Sequence, residues 1–126
     1  MNKVMRALVV GTGLVGALVT TPGVADARTA GAGATVRYQW TSDSVSNQIT
    51  YIGKDGKQIT KQMRFRPLPV GFSREQYGYS MQFRISKRQN IAARIQSPQL
   101  YATCTIKVNG NQVAYRRALQ TGSARC

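Results

Sequence analysis

Tyr79-Ser80-Met81-Gln82-Phe83-Arg84-Ile85-Ser86 alternates without a break between a large apolar side chain and a polar one. Successive side chains of an extended chain point to opposite faces, so this stretch makes a ribbon with one apolar and one wet side, whereas a helix would scatter the same residues around its axis. It is a strand that lays one face on a core. Outward from it the same period recurs, with Val36, Tyr38 and Trp40 alternating with Arg37, Gln39 and Thr41. Ile49, Tyr51 and Ile52 follow, and Asp55-Gly56 within Lys54-Asp55-Gly56-Lys57 suits a type I′ hairpin turn that doubles the chain back through Ile59 toward Phe65. Pro67 and Pro69 cannot donate ladder hydrogen bonds and should end that pairing. Ile91, Ala93 and Ile95 make a further short strand ahead of Pro98, and residues 101–108 set Cys104, Ile106 and Val108 on one face. Asn109-Gly110 is a second hairpin signal, with Val113 and Tyr115 on the return strand. No stretch from Thr35 to Cys126 sustains a 3.6-residue apolar period. About seven or eight short strands, with a turn signal every ten residues or so, predict an all-β, two-sheet sandwich, with a small closed barrel as the alternative.

The chain begins with a basic stretch holding Lys3 and Arg6, then an apolar run over residues 7–19, then Ala25-Asp26-Ala27. This is the order of a secretory signal peptide, expected over residues 1–27. The run is broken by Gly11, Gly13 and Gly16, and it falls short of the roughly twenty apolar residues a spanning helix needs, so cleavage is favoured over a retained anchor. Residues 28–34 are small and read as a flexible lead-in, leaving 35–126 as the folded domain. Export to the cell envelope or the medium places Cys104 and Cys126 in an oxidising compartment, where they read as a disulfide rather than a metal or redox pair.

Histidine is absent, which removes the usual general base, proton shuttle and metal ligand together. Asp43, Asp55 and Glu75 are scattered, and Ser86-Lys87 would point to opposite faces of a strand, so neither a carboxylate pair nor a serine–lysine dyad is indicated. The chain is expected not to be an enzyme, and to use no cofactor or metal.

Its charge is the informative property. After removal of the signal, sixteen Lys and Arg stand against three acids, a net of +13, enough to concentrate polyanions around the protein in a salt-dependent way. Arginine outnumbers lysine, and its planar fork grips phosphate and carboxylate oxygens in pairs. The candidate anion-binding residues are Arg64, Arg66, Arg84, Lys87, Arg88, Arg94, Lys107, Arg116 and Arg117. Taken singly, each is placed as the wet side of a strand; together they lack the compensating acids that a solvated face normally carries. Expected partners are lipid head groups, an acidic wall polymer or an acidic protein; specific nucleic-acid recognition is not indicated, since no module signature is present. Residues 63–79 interleave arginine, proline and aromatics, and read either as a binding loop or as a crossover whose Phe65, Leu68 and Phe72 cap the core.

Over residues 36–126 the chain resembles the soluble domain of the MmpS family, small accessory membrane proteins of lipid and siderophore exporters in mycobacteria and their relatives. The residues that carry the resemblance are Val36-Arg37-Tyr38, Ile49-Thr50-Tyr51, Lys54-Asp55-Gly56, Leu68-Pro69 and Ile91-Ala92-Ala93. With them go Cys104-Thr105-Ile106-Lys107-Val108-Asn109-Gly110 and Gly122 with Cys126. The resemblance implies an immunoglobulin-like sandwich with this disulfide, and an exporter protein as a partner. The chain departs from the family in its basic surface and in Val70-Gly71, where an aromatic is common. A binding or accessory module for an anionic partner is the expected function; the alternative is a secreted structural or inhibitor-type protein whose charge is incidental.

Overall fold

The computed structural model describes residues 28–69 and 76–126. The expected signal peptide, and Phe72 of the arginine- and aromatic-rich segment, lie outside the described residues. Alternation translates into eleven strands: β1 (Arg28–Ala30), β2 (Thr35–Ser42), β3 (Ser46–Ile52), β4 (Gln58–Arg64), β5 (Arg66–Pro67), β6 (Tyr77–Arg84), β7 (Gln89–Ile91), β8 (Ala93–Gln96), β9 (Ala102–Val108), β10 (Asn111–Ala118) and β11 (Ser123–Arg125). They form a five-stranded sheet in the order β10-β9-β2-β6-β5, a four-stranded sheet in the order β11-β8-β3-β4, and a ribbon of β1 with β7. Every pairing is antiparallel. There is no helix among the described residues. The fold is therefore the all-β sandwich that the alternation predicts, closed by one disulfide.

Seven of the strands have four or more residues, matching the count expected from the sequence; the other four, β1, β5, β7 and β11, have two or three. These short ones depart from expectation for identifiable reasons. The single strand expected over residues 91–95 divides at Ala92, with Gln89–Ile91 pairing with β1 and Ala93–Gln96 entering the four-stranded sheet. Residues 28–34, expected as a flexible lead-in, are instead paired and packed: Ala30 and Ala34 are small enough to be buried at the core's rim, and Gly33, at φ 83°, donates its N–H to Ile85 O at 2.8 Å. Pro67, expected to end pairing, lies in β5 on the edge of the five-stranded sheet, where a missing donor leaves no neighbour unsatisfied.

Between the sheets lies an aromatic core. Tyr38 and Trp40 of β2 are fully buried, and Tyr51 and Phe65 nearly so. Tyr38 sits 5.8 Å from the ring centroids of both Tyr51 and Phe83, and Trp40 stacks on Tyr79 at 6.1 Å. The Tyr38 hydroxyl donates to Ile52 O at 2.8 Å, which gives this buried polar atom its partner, and burial pushes the phenol's pKa up. Tyr38→Phe removes that bond while keeping the ring, and should lower stability by about 1 kcal/mol in urea denaturation. An unchanged midpoint would show that the hydroxyl contributes nothing.

The turns and the crossover set the register. Asn109 and Gly110 both have positive φ, 52° and 85°, as a type I′ turn between β9 and β10 requires. Asn109 also ties the turn to β2, its Oδ1 accepting the Thr35 N–H at 3.0 Å. Between β3 and β4 only Gly56 has positive φ, so the type I′ turn expected at Asp55-Gly56 does not form. Instead Asp55 Oδ1 accepts the Lys57 N–H at 3.2 Å, and the Gly56 N–H reaches Gly53 O at 3.0 Å. The aspartate side chain bonds its own backbone two residues on and so closes the turn in another geometry. Arg64 ends β4 in one sheet and Arg66 begins β5 in the other, with Phe65 buried at the crossing and its N–H on Val45 O at 2.6 Å. Lys61 of the edge strand β4 is in register with the inward-facing Ile49, and its ammonium lies 5.7 Å over the Tyr51 ring. Cys104, in β9 of the five-stranded sheet, is bonded to Cys126, just after β11 of the four-stranded sheet, with Cα atoms 6.0 Å apart.

Candidate anion-binding surfaces

The inward set on β2 is Val36, Tyr38, Trp40 and Ser42, so parity alone sends Thr35, Arg37, Gln39 and Thr41 outward. Register then extends that outer face across the whole five-stranded sheet. Arg117, Thr103, Thr41, Gly78 and Arg66 fall in one transverse row; Lys107, Arg37 and Gln82 in another; Thr35 and Arg84 in a third. Five cations, Arg37, Arg66, Arg84, Lys107 and Arg117, thus share one face with Thr, Ser and Gln between them. Its paired strand residues include no carboxylate; Asp43 follows at the end of β2, beyond the last paired row. Arg37 is half-buried and points Nη2 at Ser80 Oγ, 3.5 Å away, while Arg84 Nε donates to Gly33 O at 3.1 Å. The Thr41 and Thr103 hydroxyls hydrogen-bond across the sheet. Gly78 leaves a hollow of about 430 Å³, with Arg66, Thr41, Gln39 and Ser80 around it and Leu68 folded over one side.

The outer face of the four-stranded sheet is also cationic. Arg94 is exposed on β8, in register with Arg125 of β11 on one side and Thr50 of β3 on the other, and Arg64 lies farther along the same face opposite Ser46. Lys87 and Arg88 belong to neither face. They lie in the connection between β6 and β7, which Gln89 ties to the β3–β4 turn through Nε2 to Gly53 O at 2.7 Å, and Arg88 Nη2 meets Thr29 Oγ1 at 3.5 Å. Arg116 is in register with Cys104, on the opposite side of β10 from Arg117.

The nine candidates are therefore not one patch. Arg66, Arg84, Lys107 and Arg117 come together on the larger sheet; Arg64 and Arg94 share the smaller one; Lys87, Arg88 and Arg116 stand apart from both groups. Arg37 and Arg125 complete the two faces and were not among the candidates. Their flanks, Val36 and Tyr38 for one, Ala124 and Cys126 for the other, carry the alternation that marks them as outward. Residues 63–69 and 76–79 behave as a crossover, with Phe65 buried and Leu68 half-buried. Among the described residues no three His, Cys, Asp or Glu side chains converge. Two flat, hydroxyl- and amide-studded faces carrying guanidinium groups can hold oxyanions by charge-assisted hydrogen bonds. Compared with protein-family models, with curated proteins and with solved structures, the chain matches none.

Proposed function

We propose that the protein is a non-catalytic, exported binding or accessory module that holds an anionic partner on its arginine-rich sheet faces. The observation that carries this reading is the outer face of the five-stranded sheet, where five cations alternate with hydroxyls and amides and no paired strand residue is acidic. A face evolved only for solubility normally mixes signs. Location outside the cytoplasm is supported by the buried Cys104–Cys126 bond, which persists in oxidising compartments, and by the graded start of the sequence. The resemblance to the MmpS family extends the proposal to an immunoglobulin-like arrangement of the sheets and to an accessory role beside an envelope exporter.

Vesicles of phosphatidylglycerol mixed with phosphatidylcholine test the reading. Binding should be strong at low salt and fall steeply by moderate salt, and R37Q/K107Q/R117Q should weaken it on the order of 100-fold, since each basic side chain near an anionic leaflet contributes about 1 kcal/mol. Indifference to both salt and substitution would favour the second reading, a structural or inhibitor-type protein with incidental charge.

A further inference from the structure

The outer face of the four-stranded sheet sets two arginines side by side with two threonines beyond them. Arg125 and Arg94 are direct register partners on adjacent strands, and Thr50 and Thr60 continue the same row across β3 and β4. Arg125, Arg94 and Thr50 leave the sheet on its outer side, because their sequence neighbours Ala124, Ala93, Ile95, Ile49 and Tyr51 are buried, and Thr60 follows them as the register and hydrogen-bond partner of Thr50. Neighbouring strands are about 4.8 Å apart, so the two arginine side chains leave the sheet next to each other. Like charges directly opposite in an antiparallel pair repel and destabilise it, and the opposing acid that would cancel this is missing from the strands of this face. Asp55 lies in the β3–β4 turn, where its Oδ1 accepts the Lys57 N–H. The main-chain oxygen of Cys126, one residue past Arg125, accepts the Ala93 N–H at 3.5 Å. The hydroxyls of Thr50 and Thr60 are 2.9 Å apart and hydrogen-bonded to each other, and Gln58 stands beside them. Together these residues rim an open hollow of about 530 Å³ floored by Tyr51 and Ala93.

We propose that Arg94 and Arg125 form a discrete phosphate-binding site, with Thr50, Thr60 and Gln58 supplying further hydrogen bonds to the same group or to the atom that bears it. A tetrahedral oxyanion seated between the two forks turns their repulsion into two charge-assisted, bidentate contacts, and arginine is the side chain whose planar donors fit that geometry. The open hollow accepts a phosphate that is one end of a small molecule, either free phosphate or the head group of a lipid. This deepens the proposed function and rests on the reading of the protein as an anion binder, but it places the site on the sheet opposite the one carrying Arg37, Lys107 and Arg117.

The experiment uses the oxidised full-length protein at fixed ionic strength. Inorganic phosphate is titrated while backbone amide shifts are followed by NMR, with an equal range of chloride as the control. Saturable shifts confined to β3, β4, β8 and β11 are expected with phosphate and absent with chloride. R94Q and R125Q should each weaken phosphate binding at least tenfold, and R94K should recover part of it. Without phosphate, R94Q should melt no lower than the wild type, because it relieves a repulsion; with phosphate, only the wild type should rise in melting temperature. A second arm compares vesicles of phosphatidic acid. Loss of vesicle binding in R94Q assigns the group to a lipid head, and unchanged vesicle binding with lost phosphate binding assigns it to a free phosphate. Shifts that never saturate, or phosphate affinity unchanged in both glutamine variants, would overturn the site while leaving the salt-dependent binding through Arg37, Lys107 and Arg117 as a separate question.

Discussion

Replacing Gly122 by alanine should cost about 3 kcal/mol or more and loosen the final strand from the sandwich. The residue sits at φ 70°, where an L side chain is strained by about 1–2 kcal/mol. A Cβ there would lie 2.1 Å from Gln99 O and 2.6 Å from Ser97 O, both main-chain atoms that cannot swing aside. Forcing that overlap apart adds a further ~1–3 kcal/mol. The displacement would also break the two hydrogen bonds that hold the residue, its N–H to Leu100 O at 2.9 Å and its carbonyl to the Ser97 N–H at 2.7 Å. Gly31→Ala is the control, since no atom stands within 4 Å of the Cβ it would gain, and it should change stability by less than ~0.5 kcal/mol. Denaturant unfolding of the two variants makes the comparison. Equal midpoints would mean that the close approach of residues 97–99 to Gly122 is wrong.

The second large effect belongs to the disulfide. Cys104→Ala with Cys126→Ala, or reduction, should lower stability by roughly 3 kcal/mol, the loop-closure entropy of a cross-link spanning 22 residues. For a domain of this size that corresponds to a fall in melting temperature on the order of 15 °C. Both sulfurs are buried, so the native oxidised protein should also resist reductant and alkylating reagent until it opens. Oxidised and double-alanine proteins are compared by calorimetry. Coincident transitions would show that the bond constrains nothing the sheets do not already hold.

Long strands were legible and short ones were not, and the reason is physical. β2 and β6 each have eight residues, enough for period-two alternation to stand out against a helical reading. β1, β5, β7 and β11 have two or three, too few to carry a period, and they exist because a partner strand presents free hydrogen-bonding groups at that point. The same distinction governs the basic residues. Alternation tells that Arg64 and Arg66 both face outward, yet it cannot tell that Phe65 between them carries the chain from one sheet to the other. Arg94 and Arg125 are far apart in sequence, and only the β8–β11 register sets them side by side. Asn109-Gly110 announced its turn correctly because both residues tolerate the left-handed region; Asp55-Gly56 has the same appearance, but the aspartate found a bond to its own backbone.

The outermost strand of the four-stranded sheet presents a row of hydrogen-bonding groups with no neighbour, a template on which a second copy could add. Lys61 stands on β4 at that edge, on the core-facing side of its strand but exposed, its ammonium over the Tyr51 ring. A copy extending the sheet there would have to strip water from the ammonium and trap it without a counterion. The strand thereby guards itself against edge-to-edge growth.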